Sequence, residues 1–540
     1  MKRFIIIFAL VAIVALPFAL RSKRAAAEEH ADDTVVIITP HNEAIRYEYG
    51  RGFQDWYRAR TGRTVAVDWR VIGGTSEIAQ FLEGGYVTAF QNYWTGKLGK
   101  PWSAAVQAAF QSDRLAADAP PGVREAREIF LRSAVGCGID LFFGGGTYDF
   151  SKQAQAGRLV DSGLRELHPD WFTDDVIPRT HGGEEFWDPD GRWLGTVLSS
   201  YGIIYNRDSL RRLGFAGELR SWSDFADPRF VGEVALADPT KSGSIAEAFE
   251  NMIQQQMQHR LRALQAAEPA VDAKTRETQA VREGWLAGLR LIQLIGANAR
   301  YFTDTSQKPP IDVAAGDCAM GLCIDFYGRQ QQEAVRRRGD SERIGYVSPA
   351  GGSAVAVDPV ALLRGAPHRA VAVAFMEYVL SMDGQKLWNF RPGTPGGPQR
   401  YALRRLPVRL DFYRHAEWRA LRSDPDESPY DEAEPLVYHP EWTGALFREM
   451  AFVVRVMCQD THVELVEAWK AAIAAPEPAR SRALAALQDM SAVDYDRVRG
   501  AIHQALSSRN KADEVALAGE LGAAFRRQYA RAEEIARGSP

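Results

Sequence analysis

Thr34-Val35-Val36-Ile37-Ile38-Thr39 is an unbroken, largely β-branched run that ends at Pro40-His41-Asn42. A run this short, apolar on successive positions, suits a strand buried on both faces, as in a parallel sheet covered by helices. The next stretch has a helical period. Ile45, Tyr49, Phe53, Trp56 and Tyr57 share one face, and Gly62 marks the stop. The alternation then repeats. Thr64 to Trp69 predicts a second strand, which runs into Gly73-Gly74-Thr75-Ser76 and a helix over Glu77 to Leu82. Gly138 to Phe143 predicts a third, ending in Gly144-Gly145-Gly146-Thr147 before a helix near Ser151 to Gly157. This βαβαβα order implies an open α/β sheet with loops at the carboxyl ends of its strands. Gly84 to Ser133 has no strand pattern and reads as a mostly helical or irregular insertion.

A second α/β unit follows. Thr196 to Asn206 is long for one strand and is expected to cross between two lobes. Val234 to Ala237 predicts a strand ending in Asp238-Pro239-Thr240-Lys241-Ser242-Gly243-Ser244, then a helix from Ile245 to about Arg262. Cys318 to Ile324 reads as another buried strand, ending at Asp325-Phe326-Tyr327. Ala354 to Val357 and Pro359 to Leu363 suggest strands returning to the first unit. Helices are expected over His368 to Leu380 and Gly384 to Phe390. Beyond Tyr401 the chain is mainly helical, with periodic apolar positions from Val463 to Ile473 and from Val515 to Ile535.

With 540 residues the chain exceeds one compact core. Its formal net charge is -4, and beyond the N-terminal segment no basic block is longer than Arg336-Arg337-Arg338. A nucleic-acid partner is therefore not expected. The ten histidines are scattered, with no helical metal-site spacing. Cys137, Cys318, Cys323 and Cys458 form no C-x-x-C pair. Cys318 and Cys323 lie on one predicted strand and face opposite sides, which disfavours a bond between them and leaves a bridge from Cys137 open.

The N-terminus carries Met1-Lys2-Arg3, an apolar run from Phe4 to Leu20, then basic residues and Ala25-Ala26-Ala27-Glu28. This is the pattern of a secretory signal cleaved after Ala27, with an uncleaved signal-anchor as the alternative. Residues 1–27 are thus an export segment, and the remainder is expected to be periplasmic or otherwise extracytoplasmic, with the anchor holding it at the membrane if it stays.

Three Gly-rich strand ends lead into helices: Gly73 to Ser76, Gly144 to Thr147 and Thr240 to Ser244. Helix N-termini present unpaired N–H groups and the positive end of a dipole, so such loops can hold an anion without Lys or Arg. Ser244-Ile245-Ala246-Glu247 has the spacing of a capping box, which predicts Ser244 as the N-cap. Gly, Ser and Thr also occupy βα turns for conformational reasons alone. No catalytic motif is present: G-x-S-x-G, H-E-x-x-H and the P-loop pattern are all missing. Glu184-Glu185 with Asp188-Pro189-Asp190-Gly191 reads as a polar hairpin between Trp187 and Trp193, ahead of a calcium site. Tyr201, Tyr205 and Tyr327 offer phenols for ferric iron, though stacking and core roles are commoner.

The stretches YGIIYNRDSL, SWSDFADPRFVGEVALADPTKSGS, YFTDTSQKPPIDVAAGDCAMGLCIDFYG, PAGGSAVAVDPVALLRGAPHRAVAVAFMEYVLSMDGQKLW and RPGTPGGPQRYALRRLPVR, in this order, resemble the extracellular solute-binding proteins of ABC importers, in the branch that serves ferric iron, thiamine, polyamines and phosphonates. The resemblance covers about Val35 to Arg409. It implies an α/β, two-lobed periplasmic-binding-protein-like fold of type II, with a helical insertion and a helical C-terminal extension. Lobe 1 would take residues 34–195 and 345–400, lobe 2 residues 196–344, and the extension residues 401–540. It also implies a monomer that is not an enzyme, has no cofactor, captures a small solute between the lobes and delivers it to a membrane permease. By position, the cleft contacts fall on Thr39, Gly74, Thr75, Ser76, Gly145, Gly146, Thr147, Tyr201, Thr240, Ser242, Gly243, Ser244, Asp325 and Tyr327. The expected solute is anionic, of phosphate or phosphonate type. Ferric iron on Tyr201, Asp325 and Tyr327 is the alternative, and an extracellular hydrolase using Asp325 or Glu184-Glu185 a more distant one. The ferric binders of this branch carry adjacent tyrosines where this chain has Tyr201-Gly202, and no Tyr-Tyr pair occurs anywhere in it.

Overall fold

The computed structural model describes residues 31–112, 115, 119–339, 342–431, 435–508 and 510–538. The export segment over residues 1–27 lies outside the described residues.

The first βα unit forms as its pattern dictates. Strand β1 (Asp33–Ile38) leads to helix α1 (Glu43–Thr61), where the Asn42 side chain accepts from the Ile45 amide and Gly62 ends the helix in a left-handed conformation. Strand β2 (Val65–Arg70) pairs parallel with β1, and helix α2 (Thr75–Asn92) follows. This helix runs well past Leu82, because its apolar face continues through Tyr86 and Phe90, both fully buried. The insertion adds helices α3 (Ala104–Phe110) and α4 (Pro121–Arg132), which close over an aromatic cluster of Phe90, Phe110 and Phe130. Strand β3 (Leu141–Phe143) returns to the sheet, and helix α5 (Thr147–Gln155) begins at Gly146.

Strands β4 (Leu159–Val160), β7 (Leu194–Ser199), β13 (Ala356–Leu363) and β14 (Leu406–Pro407) complete a seven-stranded sheet of order β14-β7-β13-β3-β1-β2, with β4 against β13. Helices α10 (Arg369–Leu380) and α11 (Met382–Asn389) pack against it around Tyr49, Phe53, Phe375 and Trp388. A two-stranded hairpin, β5 (Thr180–His181) with β6 (Glu184–Glu185), flanks this lobe. Asp188 caps the next turn and pairs with Arg192.

The expected single strand over 196–206 is two strands. The chain leaves the first sheet at Ser199 and enters the second at Tyr201, starting β8 (Tyr201–Asn206). The second sheet has the order β10-β9-β11-β8-β12, from β9 (Val234–Ala237), β10 (Ala299–Thr303), β11 (Met320–Ile324) and β12 (Ile344–Val347). Its helices are α6 (Gly243–Ala267), α7 (Ala273–Asn298), α8 (Lys308–Ala315) and α9 (Asp325–Arg337). The chain returns to the first sheet between Val347 and Ala356. The two crossings run side by side, with the Tyr201 amide donating to Ser353 Oγ at 2.8 Å, and the first is also tied to the end of β11, where the Asp325 amide donates to the Ser200 carbonyl at 2.9 Å.

The C-terminal region is helical: α12 (Phe447–Val454) packs on α6 and α7, α13 (His462–Ala474) packs on α7, and α14 (Ala479–Leu487) and α15 (Lys511–Ala536) pack on α13 and on each other. Trp285 and Gln293 of α7 anchor it by donating to the carbonyls of Val493 and Leu487, both at 2.9 Å. All four cysteines are free thiols, so Cys137 makes no bridge. Among the described residues no helix is long and apolar enough to cross a membrane.

Candidate functional site

A cleft of about 490 Å³ separates the two sheets, and the strand ends of both deliver helix N-termini to it. Asn42, Gly74 and Gly146, the N-caps of α1, α2 and α5, line it from the first lobe. Ser242, Gln307 and Ile324, the N-caps of α6, α8 and α9, line it from the second. Only Asn42 among these six closes its own helix with a side-chain bond. First-turn N–H groups on both walls are thus left to a ligand or water.

Ser242, not Ser244, is the N-cap of α6, so the expected capping box does not form. The helix begins two residues early, because the Ser242 carbonyl already accepts from the Ala246 amide at 3.0 Å. Glu247 is thereby free of a capping role. Its Oε2 accepts instead from the Tyr201 hydroxyl at 2.8 Å. Burial, and then Glu250, Asp358 and Asp149, push the Glu247 pKa up to about 8, against the Tyr201 bond, which lowers it. Burial and the same carboxylate raise the Tyr201 phenol well above its ordinary value.

The floor is a charged network from four parts of the chain. Arg405, which is 1% exposed, donates from Nη1 to Asp358 Oδ2 at 2.6 Å and from Nη2 to Ser199 Oγ. Ser199 Oγ in turn donates to Asp358 Oδ1 at 3.0 Å, and His41 Nε2 sits 3.4 Å from Asp358 Oδ2. The Arg405 guanidinium lies over the ring of Phe326, 4.4 Å from its centroid. Burial alone would raise the Asp358 pKa, but Arg405 and His41 hold it well below the usual carboxylate range. Burial dominates at His41 and lowers its pKa, which keeps the imidazole neutral. Its Nδ1 is buried with no partner. Gly144, at φ +88°, leaves room for this ring, since a β-carbon there would come within 2.4 Å of it.

Arg46 reaches the same cleft from the first turn of α1. No acidic side chain pairs with its guanidinium among the described residues, and its Nε has no hydrogen-bond partner. Lys241, the other cation on the wall, is bound to Asp304 at 2.6 Å.

Of the residues named from the sequence, Gly74, Thr75, Gly145, Gly146, Tyr201, Ser242, Gly243, Ser244 and Tyr327 line this cavity. Ser76 and Thr147, one residue into α2 and at the start of α5, do not line it. Thr39 is fully buried, and its Oγ1 accepts from the His41 amide at 3.1 Å. Thr240 spends its hydroxyl on Asp238 at 2.6 Å. Asp325 is fully buried behind the wall, 3.4 Å from Arg329. Several of the glycines serve the closeness of the lobes. A β-carbon added at Gly74 would lie 3.0 Å from the Lys241 carbonyl oxygen, and one at Gly243 would lie 3.0 Å from Thr75 Oγ1. Sequence reasoning missed His41, Arg46, Ser199, Glu247, Asp358 and Arg405. For Arg46 a signal existed: it is a cation one turn after an N-cap that follows a strand.

Residues 139–402 match the family model for bacterial extracellular solute-binding proteins. A protein of Haemophilus influenzae without an assigned function is 25% identical over 252 residues, 46% of this chain and 60% of that protein. Iron uptake protein A2 of Synechocystis is 25% identical over 221 residues, 39% of this chain and 55% of that protein. The match thus spans less than two thirds of either relative. Among solved structures, the periplasmic binding protein AfuA of Actinobacillus pleuropneumoniae is 14% identical, with 81% of this chain and 98% of that one covered, at a TM-score of 0.49. Iron-bound HitA of Pseudomonas aeruginosa is 16% identical, with 79% and 98% covered, at 0.43. Over residues 139–402, just under half of its length, the chain thus resembles the bacterial extracellular solute-binding proteins.

Proposed function

We propose that this protein captures a small anionic solute, of phosphate or phosphonate type, in the interlobe cleft and hands it to the membrane permease of an ABC importer. It does so as an exported monomer without catalysis, carried out of the cytoplasm by residues 1–27. The observation that carries the anionic reading is the Arg46 guanidinium, which has no acidic partner among the described residues, set among six convergent helix N-termini. A bound anion would accept from Arg46 and from first-turn amides of both lobes, so its charge would draw the lobes together. Closure of this kind is a hinge motion about the paired crossings at Ser200 and Ser353.

Ferric iron is a second reading, favoured by the oxygen donors Tyr201, Tyr327 and Glu247 on one wall. It requires Tyr201 to give up a proton that it shares with Glu247. It also loses Asp325, which lies behind the wall. A thermal-shift panel separates the two readings, because a ligand at 100 times its Kd stabilises by about 2.7 kcal/mol. Phosphate monoesters or phosphonates should raise the melting temperature, while ferric citrate and polyamines should not. Stabilisation by ferric citrate alone would transfer the assignment to iron.

A further inference from the structure

The C-terminal extension is fastened to both lobes. Its first part packs on the first lobe: the Leu410 amide donates to the Val176 carbonyl at 2.8 Å, the Ser423 amide to the Asn389 carbonyl at 2.6 Å, and Tyr430 stacks edge-on to His181 of the β5–β6 hairpin. Its helical part packs on the second lobe, against α6 and α7. Residues 435–443 join the two.

Tyr438 in this stretch is held at both ends. Its amide donates to the Gly182 carbonyl, in the turn of the first-lobe hairpin, at 2.7 Å. Its hydroxyl donates to Glu250 Oε1, on second-lobe helix α6, at 3.1 Å. The neighbours reinforce the second attachment. Thr443 donates to Glu250 at 2.6 Å, Gln254 exchanges two hydrogen bonds with the His439 backbone, and Gln258 donates to the Val437 carbonyl at 2.6 Å. Gly183, at φ +85°, lets the hairpin approach: a β-carbon there would fall 1.9 Å from the Tyr438 carbonyl oxygen. A second link stands near the cleft, where Tyr148 of first-lobe helix α5 stacks on Phe447 of α12, with centroids 4.5 Å apart.

A freely hinged pair of lobes would have no covalent segment pinned across them away from the crossings. We propose that residues 435–443 are an interlobe strap, with Tyr438 as its pin, which restricts opening of the cleft. In the strapped molecule the lobes stay near their closed spacing without a solute. Wide opening requires the Gly182–Tyr438 and Tyr148–Phe447 contacts to part. None of these residues lines the cleft, so the strap acts on the hinge and not on the ligand.

The test is pulsed electron–electron resonance between spin labels at exposed Gln91 and Arg336, one on each lobe, in a full-length Cys137→Ser background with no solute added. The strap predicts one narrow distance distribution. Gly183→Ala, which drives the hairpin off Tyr438, should add a population at longer distance. Tyr430→Ala, which cuts the first-lobe attachment at another point, should add the same population. A broad distribution in the parent protein, or narrow ones in both variants with circular dichroism unchanged, would overturn the proposal. Because no ligand is present, these outcomes are independent of which solute the cleft accepts.

Discussion

The Tyr201 hydroxyl and the Glu247 carboxylate share a 2.8 Å hydrogen bond on the second-lobe wall of the cleft. Tyr201 opens β8 and Glu247 sits in the second turn of α6, so the bond ties the point where the chain enters the lobe to a helix that faces the cleft. Burial makes both groups hard to ionise, the phenol most of all.

This bond predicts weak ferric binding. A tyrosinate–iron complex absorbs visible light, and Tyr201 must ionise to form one. Protein titrated with ferric citrate at neutral pH should gain no charge-transfer band beyond the absorption of ferric citrate itself. A charge-transfer band that Tyr201→Phe bleaches would contradict the account.

The neighbouring carboxyls predict a pH dependence of stability. Burial raises Glu250 from 4.5 to about 7, while its bonds from Thr443 and Tyr438 partly offset this. A carboxyl raised in the folded state binds its proton more tightly there than in the unfolded chain. Its contribution is complete below 4.5 and is lost as pH rises through 7. Glu247, at about 8, acts in the same direction. The melting temperature should therefore fall between pH 5 and pH 8, less steeply in Glu250→Gln. A flat parent profile, or an unchanged slope in the variant, would refute the assignment.

The floor network predicts a large cost for breaking its ion pair. Removing one partner of a buried pair typically costs about 3–5 kcal/mol, because the other charge is left uncompensated. Asp358→Asn leaves Arg405 in that position and should show such a loss in urea unfolding at pH 7. The pair acts oppositely to Glu250 in pH. Asp358 is depressed below 3.8, so its contribution is present above that value and is lost as pH falls below it. A loss under 1 kcal/mol would mean that Arg405 finds another acceptor.

The parts of this molecule that were legible in the sequence are those governed by local pattern. Val234 to Ala237 is a strand within the residues expected, since four buried apolar residues between turn signals admit little else. The Gly-rich strand ends were legible as candidate cleft loops because each leads into a helix N-terminus with free N–H groups. The floor was not legible. Asp358, Arg405 and His41 are far apart in sequence, and each alone is an ordinary polar residue near a strand. The cap of α6 was misplaced by two residues because capping-box spacing from Ser244 to Glu247 is a local signal. Tertiary contact gave Glu247 to Tyr201 instead. The strap was invisible too, because nothing around Tyr438 signals that its two ends meet different lobes.

The closeness of the lobes predicts that a side chain at Gly74 opposes closure. Its β-carbon would press on the Lys241 carbonyl oxygen across the cleft. Gly74→Val should weaken solute binding by about 1–3 kcal/mol, the usual range for overpacking. Equal affinity in the variant would show that the lobes need not meet at this point.

The proposed anion site consists of Arg46 and the helix N-termini around it. Calorimetric titration of the parent protein and of Arg46→Gln with glycerol 3-phosphate and methylphosphonate tests this most directly. A hydrogen bond to a charged group is worth about 1.5–3 kcal/mol, so the variant should bind about 10- to 150-fold more weakly than the parent, which should saturate with at least one of the two. Because Arg46 has no acidic partner among the described residues, the melting temperature without ligand should not change. Saturation by neither anion, or equal affinity in parent and variant, would contradict the account.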